Sequence, residues 1–194
     1  MIVPLNLRIV SQLTVAFAPS SYVRVTPSAH AATPLGMSFG KTRFASPTDF
    51  FKILYIAKDV VTGVAETIIR DRFEGKAARQ LIESEVGTWG VTEISAKPLN
   101  LLDLRTTGLL RLGISTDIAR AKNQDEARQF SQIVYDETDL EGILYRSRLT
   151  GEDCVAVYDR AVTGKLTAGP VVDLLTIAAL VSGLSDLNIQ LIKS

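Results

Sequence analysis

Five side chains have the types and spacing to do chemistry together: Glu66, Arg24, Arg43, Tyr55 and Ser147. The chain has one histidine, His30, and one cysteine, Cys154. A Ser–His or Cys–His nucleophile system would have to run through His30 alone. A zinc site of nitrogen and sulfur ligands has no ligand set to draw on. The chemistry left open uses carboxylate, guanidinium, phenol and hydroxyl groups, without a metal.

Glu66 lies in a stretch, Val60 to Phe73, whose periodicity predicts a helix with Asp59 as its N-cap. At 100° per residue it falls about 20° from Phe73 and about 40° from Arg70, at the border of the apolar arc of Val61, Val64, Ala65, Ile68 and Ile69. One reading is an i,i+4 ion pair with Arg70, worth about 0.3–0.5 kcal/mol. The other is a carboxylate projecting into a cleft beside a strand at Lys52–Ala57. Spacing alone favours the pair.

Arg24 sits in a clean alternation, Ser21 to Thr26, with Tyr22 and Thr26 on its face and Val23 and Val25 on the other. It must reach water, a carboxylate or an anionic ligand. Arg43, in a Gly/Pro-rich loop, is a second candidate anion contact. Tyr55 in its apolar strand is either core or a stacking platform, and Ser147 either a polar strand end or a ligand contact. The tempting Gly36-Met37-Ser38-Phe39-Gly40-Lys41-Thr42 is one residue short of a phosphate-binding P-loop. No strand feeds it, and Pro47 stands where the following helix should start.

The elements that must position these groups mix without regular strand–helix alternation, so the class is α+β. Strands are expected at 21–26, 52–57, 99–104, 142–147, 154–158 and 188–192. Helices are expected at 60–73, 77–86, 125–135 and 171–181, and a long loop at 28–49. Residues 1–19 form a strand or arm on the core, and 165–194 a helix and strand packed on it. The whole chain, 1–194, reads as one domain. The apolar arm from Ile2 to Phe17 is a candidate homodimer surface.

Composition narrows the function classes. With 21 basic and 21 acidic residues among 194, there is no basic excess for nucleic-acid binding. The lone cysteine excludes an intrachain disulfide framework and fits a reducing, cytoplasmic compartment. The amino-terminal segment is not read as a signal peptide, since Ser11 and Gln12 interrupt its apolar run and Pro19 follows it. Val171 to Leu184 is shorter than the roughly 20 residues of a membrane span and contains Asp173, so it reads as a buried helix.

Taken in order, Tyr22-Val23-Arg24-Val25, then Thr42-Arg43-Phe44-Ala45-Ser46-Pro47, then Leu54-Tyr55-Ile56-Ala57 with Glu66 after it, resemble the front half of a RES domain. Glu141-Gly142-Ile143-Leu144-Tyr145-Arg146-Ser147-Arg148 followed by Cys154-Val155-Ala156-Val157-Tyr158 resembles its back half, with Glu141 where the family usually has Asp. The resemblance covers about residues 20–160 and leaves the 27–42 loop unmatched. It implies an ADP-ribosyltransferase-like split antiparallel sheet around an NAD cleft. It also implies a bacterial toxin neutralised by an Xre-type antitoxin with a helix-turn-helix. Such a toxin would cleave the nicotinamide–ribose bond of NAD+, degrading it or transferring ADP-ribose to a protein acceptor. On that reading Glu66 stabilises the oxocarbenium-like state and Arg24 and Arg43 clamp the pyrophosphate. Tyr55 stacks on nicotinamide, and Ser147 hydrogen-bonds the ribose or nicotinamide side. The competing class is a non-catalytic module that uses the same cleft to hold a partner.

Overall fold

The computed structural model describes residues 4–120 and 123–193. Helix α1 (Leu7–Leu13) starts at Asn6, whose side chain accepts the Ile9 amide, and runs directly into β1 (Thr14–Phe17). After β2 (Tyr22–Pro27) and a 3-10 turn at Ser28–His30, the chain crosses a long irregular loop to β3 (Ile53–Ala57). Helix α2 (Val60–Val64) follows, capped as expected by Asp59, whose carboxylate accepts the Thr62 amide at 2.8 Å. The helix then widens into a π turn at Ala65–Ile69 and tightens into a 3-10 turn at Arg70–Phe73. Next come β4 (Gln80–Ile82), α3 (Glu83–Val86), β5 (Trp89–Ala96) and β6 (Leu99–Asp103). Short helices α4 (Gly108–Arg111) and α5 (Asp117–Arg120) precede the longer α6 (Asp125–Glu137). The hairpin β7 (Gly142–Arg146) and β8 (Asp153–Tyr158) leads to α7 (Asp159–Lys165), β9 (Leu166–Ala168) and β10 (Val172–Asp173). A 3-10 turn at Leu174–Thr176, α8 (Ala179–Asp186) and β11 (Gln190–Ile192) complete the described chain.

The main sheet has the order β1-β6-β7-β8-β3-β2-β5-β10, with β9 also on β5; only β6 and β7 run parallel. Strand β3 pairs with β8 along all five of its residues, and β2 pairs with β5 along all six. Between β2 and β3, however, the register holds a single pair, Val23 with Ala57. From there the strands diverge and the sheet opens as a wedge. Both faces of the sheet are packed. Val23, Val25, Ile53, Ile143, Tyr145, Cys154, Ala156 and Tyr158 face one apolar cluster, with Phe44, Phe51, Phe130 and Val134 against them. Tyr22, Leu54, Ile56, Leu144, Val155 and Val157 face the other, with Leu99, Ala161 and Leu166.

Two glycines, Gly142 and Gly63, permit close approach. A Cβ on Gly142 would lie 2.3 Å from the Ala156 carbonyl oxygen, so β7 can seat on β8 only with glycine there. A Cβ on Gly63 would meet Val25 Cγ2 at 3.0 Å, so that glycine lets α2 lie directly on β2. Beside Gly142, the Glu141 carboxylate accepts the Asn100 amide at 2.8 Å and Lys165 Nζ at 2.7 Å, tying β6 to the end of α7.

The α+β class and the largely antiparallel sheet are as the sequence implied. Several elements differ. The 77–86 stretch is not one helix: it gives β4, which pairs in parallel with β11, and the single turn α3, ending at Gly87. The 171–181 stretch is not a helix either. Asp173 accepts the Leu175 amide at 2.9 Å and interrupts it, leaving β10 and a 3-10 turn, with the helix shifted to Ala179–Asp186. Strand β5, which pairs with β2, β9 and β10 near one edge of the sheet, has no counterpart among the expected strands. The N-terminal arm holds a helix as well as a strand, and it buries Leu5, Val10 and Leu13. Its first three residues, Ile2 included, lie outside the described residues. Among the described residues, no helix is long and apolar enough to cross a membrane.

Candidate functional site

The wedge between β2 and β3 holds a cavity of about 390 Å³, within the range of small-molecule sites. Strand β2 lines it with Val23, Arg24 and Val25, strand β3 with Tyr55, Ile56 and Ala57, and the helical stretch with Gly63, Glu66, Thr67 and Arg70. Tyr145 and Cys154 come from β7 and β8, and Ser38, Gly40 and Thr42 from the long loop. The segment resembling a P-loop therefore forms one wall of the cavity in an irregular conformation.

Glu66 satisfies both readings of its spacing. Its Oε2 accepts Arg70 Nη2 at 2.7 Å, and its Oε1 accepts the Ser147 hydroxyl at 2.7 Å. The carboxylate is only 15% exposed and lies in the cavity wall, so the ion pair fixes it there instead of turning it outward. Ser147 is itself buried. Its oxygen accepts the Leu149 and Thr150 amides at 3.1 and 3.3 Å, so its one proton is committed to Glu66. The seryl group positions the acid and does not line the cavity.

Arg24 belongs to the opposite face from Val23 and Val25 and lines the cavity through the gap between the strands. Its Nη1 donates to the Pro34 carbonyl at 2.7 Å, which ties the loop to β2. Burial disfavours its charge and lowers its pKa. Tyr55 stands in the wall with its hydroxyl engaged: it accepts the Phe44 amide at 3.1 Å and pairs with Thr42 Oγ1 at 2.9 Å. Burial raises its phenol pKa, and that of Tyr145 well above the usual range. Burial, then Glu66, pushes the Cys154 thiol up as well. These three groups stay neutral, and none is an activated nucleophile. His30 is exposed and is not among the lining residues.

Arg43, like Ser147, does not line the cavity, and unlike Ser147 it makes no bond to Glu66. It is 3% exposed and donates from Nη1 to the Ile118 carbonyl at 3.2 Å. Burial and the neighbouring Arg70 charge lower its pKa. Arg70, by contrast, was read only as a partner for Glu66, yet it lines the cavity. Burial opposes its charge, but Glu66 more than offsets this and raises its pKa.

A larger cleft, about 540 Å³, lies on the other face, lined by Phe17, Tyr22, Lys58, Arg146 and Asp153. Of its two acids, Glu152 and Asp153, the second is already held by Arg105 at 2.7 Å and Arg146 at 3.7 Å. None of the five candidate residues lines it, so the wedge cavity is the better site. The wedge offers one preorganised carboxylate flanked by two arginines and two neutral aromatic side chains. That arrangement can stabilise positive charge developing between them while holding an anionic tail.

A model of the RES domain family matches residues 20–176, which include every residue named above as lining the cavity. "Probable toxin y4kH" of Sinorhizobium fredii (strain NBRC 101917 / NGR234) is 42% identical over 81 residues. That match covers 40% of this chain and 63% of the relative, so the chain spans under two thirds of that protein's length. Among solved structures, the crystal structure of the M. tuberculosis MbcT-MbcA toxin-antitoxin complex contains a chain of similar fold. Its TM-score is 0.66 at 19% identity, covering 86% of this chain and 90% of that one.

Proposed function

The chain belongs to the RES domain family, and from that premise we propose that it is the toxin of a toxin–antitoxin pair that cleaves the nicotinamide–ribose bond of NAD+. The observation that carries the reading is Glu66, held in the wedge by Ser147 on one oxygen and Arg70 on the other. Breaking the C–N bond sends its electron pair out with nicotinamide and leaves an oxocarbenium-like ribose. A fixed carboxylate beside that carbon stabilises the developing charge without reorganising. Arg24 would hold phosphate oxygens, and the Tyr55 and Tyr145 rings would pack on the flat parts of the dinucleotide. The acceptor for the ribosyl group is water, phosphate or a protein side chain. NAD+ is substrate here, and no metal step is needed.

The similarity to the chain in the MbcT-MbcA complex and to a probable toxin supports an antitoxin as partner. We assign to it an Xre-type protein whose segment blocks the cleft, with the toxin itself homodimeric.

Purified protein should release nicotinamide from NAD+. Release from NAD+ alone marks hydrolysis, and release that needs added phosphate marks phosphorolysis. Release only with cell lysate, with label appearing on a protein, marks transfer. A ligand at 100 times its dissociation constant stabilises by about 2.7 kcal/mol. No release under any condition, with a flat melting curve up to millimolar NAD+, would mean a non-catalytic binding module.

A further inference from the structure

The expected second phosphate clamp, Arg43, is locked behind the wall on the Ile118 carbonyl. The cavity nevertheless has a second guanidinium. Arg70 spends one nitrogen, Nη2, on Glu66. Its Nε is buried with no hydrogen-bond partner among the described residues. Such an orphaned charged donor is costly in a folded protein unless something accepts from it. Its Nη1 makes no hydrogen bond within the described chain either. Nη2 is thus spent on the catalytic acid and Nε is closed off, which leaves Nη1 as the donor open to a ligand, in a residue that lines the cavity.

Position then selects the ligand group. Arg70 Nη2 lies 2.7 Å from Glu66 Oε2, on the carboxylate that the NAD+ reading sets beside the reacting ribose carbon. An anion held by the same guanidinium sits beside that carboxylate, and of the two phosphates in the dinucleotide the one on the nicotinamide ribose is the nearer to the reacting carbon. The buried Arg43 charge is close enough to disfavour and be disfavoured by Arg70, which adds positive potential at this end of the wedge.

Resting on the NAD+-cleaving reading, we propose that Arg70 binds the 5′-phosphate of the nicotinamide ribose and so makes the enzyme select phosphorylated nicotinamide nucleosides over bare nicotinamide riboside. Arg70 also positions Glu66, and the two roles separate by substrate. Losing the hold on Glu66 slows cleavage of every substrate alike. Losing the phosphate contact penalises only those that carry a phosphate.

The test compares kcat/KM for NAD+, nicotinamide mononucleotide and nicotinamide riboside in wild type, Arg70→Gln and Arg70→Lys. In Arg70→Gln the ratio of mononucleotide to riboside should fall by roughly 10–100-fold, the scale of a lost hydrogen bond between charged groups. Arg70→Lys keeps the charge and loses the fork, so it should recover part of the ratio. A ratio unchanged within about threefold would overturn the proposal. Calorimetry with ribose 5-phosphate and ribose needs no catalysis. Wild type should bind the phosphate ester at least tenfold more tightly and Arg70→Gln should lose that preference, whereas equal binding in wild type, or a preference unchanged in Arg70→Gln, would refute Arg70 as its ligand. If wild type released no nicotinamide yet bound ribose 5-phosphate through Arg70, the NAD+ reading would fail and the phosphate site would stand.

Discussion

Glu66→Gln is expected to fold normally and to lose about 10²–10³ in nicotinamide release, the effect of removing one preorganised electrostatic contact, about 2.7–4 kcal/mol. Glutamine has nearly the same volume and helix propensity. Its amide oxygen can keep one of the two bonds that Glu66 makes to Arg70 and Ser147. A stability loss of about 1 kcal/mol would lower Tm by roughly 2–4 °C in a chain of this size. In bacteria the variant should be tolerated where the wild type arrests growth, with cellular NAD+ restored. Were Glu66 only a surface ion pair, activity would stay within about twofold. Wild-type rates in purified Glu66→Gln would remove the carboxylate from the mechanism.

Arg24→Ala should be as inactive, by a different route. Its guanidinium is the cavity's cation on the opposite face of the sheet, and it carries the Pro34 anchor of the loop. Losing a charged hydrogen bond to phosphate weakens binding by roughly 10–100-fold, and releasing the loop adds to that. The thermal shift with NAD+ should therefore vanish in Arg24→Ala and persist in Glu66→Gln. A normal NAD+ shift in Arg24→Ala would assign Arg24 to the loop alone.

Much of the site was legible because its strands alternate. Val23 and Val25 face one cluster while Tyr22 faces the other, which places Arg24 on the Tyr22 side as the alternation required. The Asp59 cap fixed where the helix began and so which face carried Glu66. The rest depended on contacts distant in sequence. Strand β5 alternates only from Thr92 to Ser95, because at its start Gly90, Val91 and Thr92 are buried in succession. Strand β4 exists because it meets β11, near the other end of the chain. Arg43 and Arg24 look alike as residues, and only the fold turns one into the interior and the other to the cavity. Ser147 carried no sign of its turn geometry, which sends its proton to Glu66. Arg70 looked like half of a helix pair because the spacing that makes the pair says nothing of its free nitrogens.

The lone register pair between Val23 and Ala57 divides the sheet into two cooperative blocks hinged at one rung. One block runs from β1 to β3, the other from β2 to β10 with β9. Along the gap, the facing edges of β2 and β3 lack the ladder that elsewhere slows amide exchange. A ligand that hydrogen-bonds both edges would bridge them, so occupancy of the cleft would also tie the two blocks together. Deuterium uptake at residues 22–27 and 53–57 should accordingly drop on ligand binding while β6 and β7, zipped on both sides, stay unchanged. Uniform protection across the sheet would instead mean that the two blocks open as one.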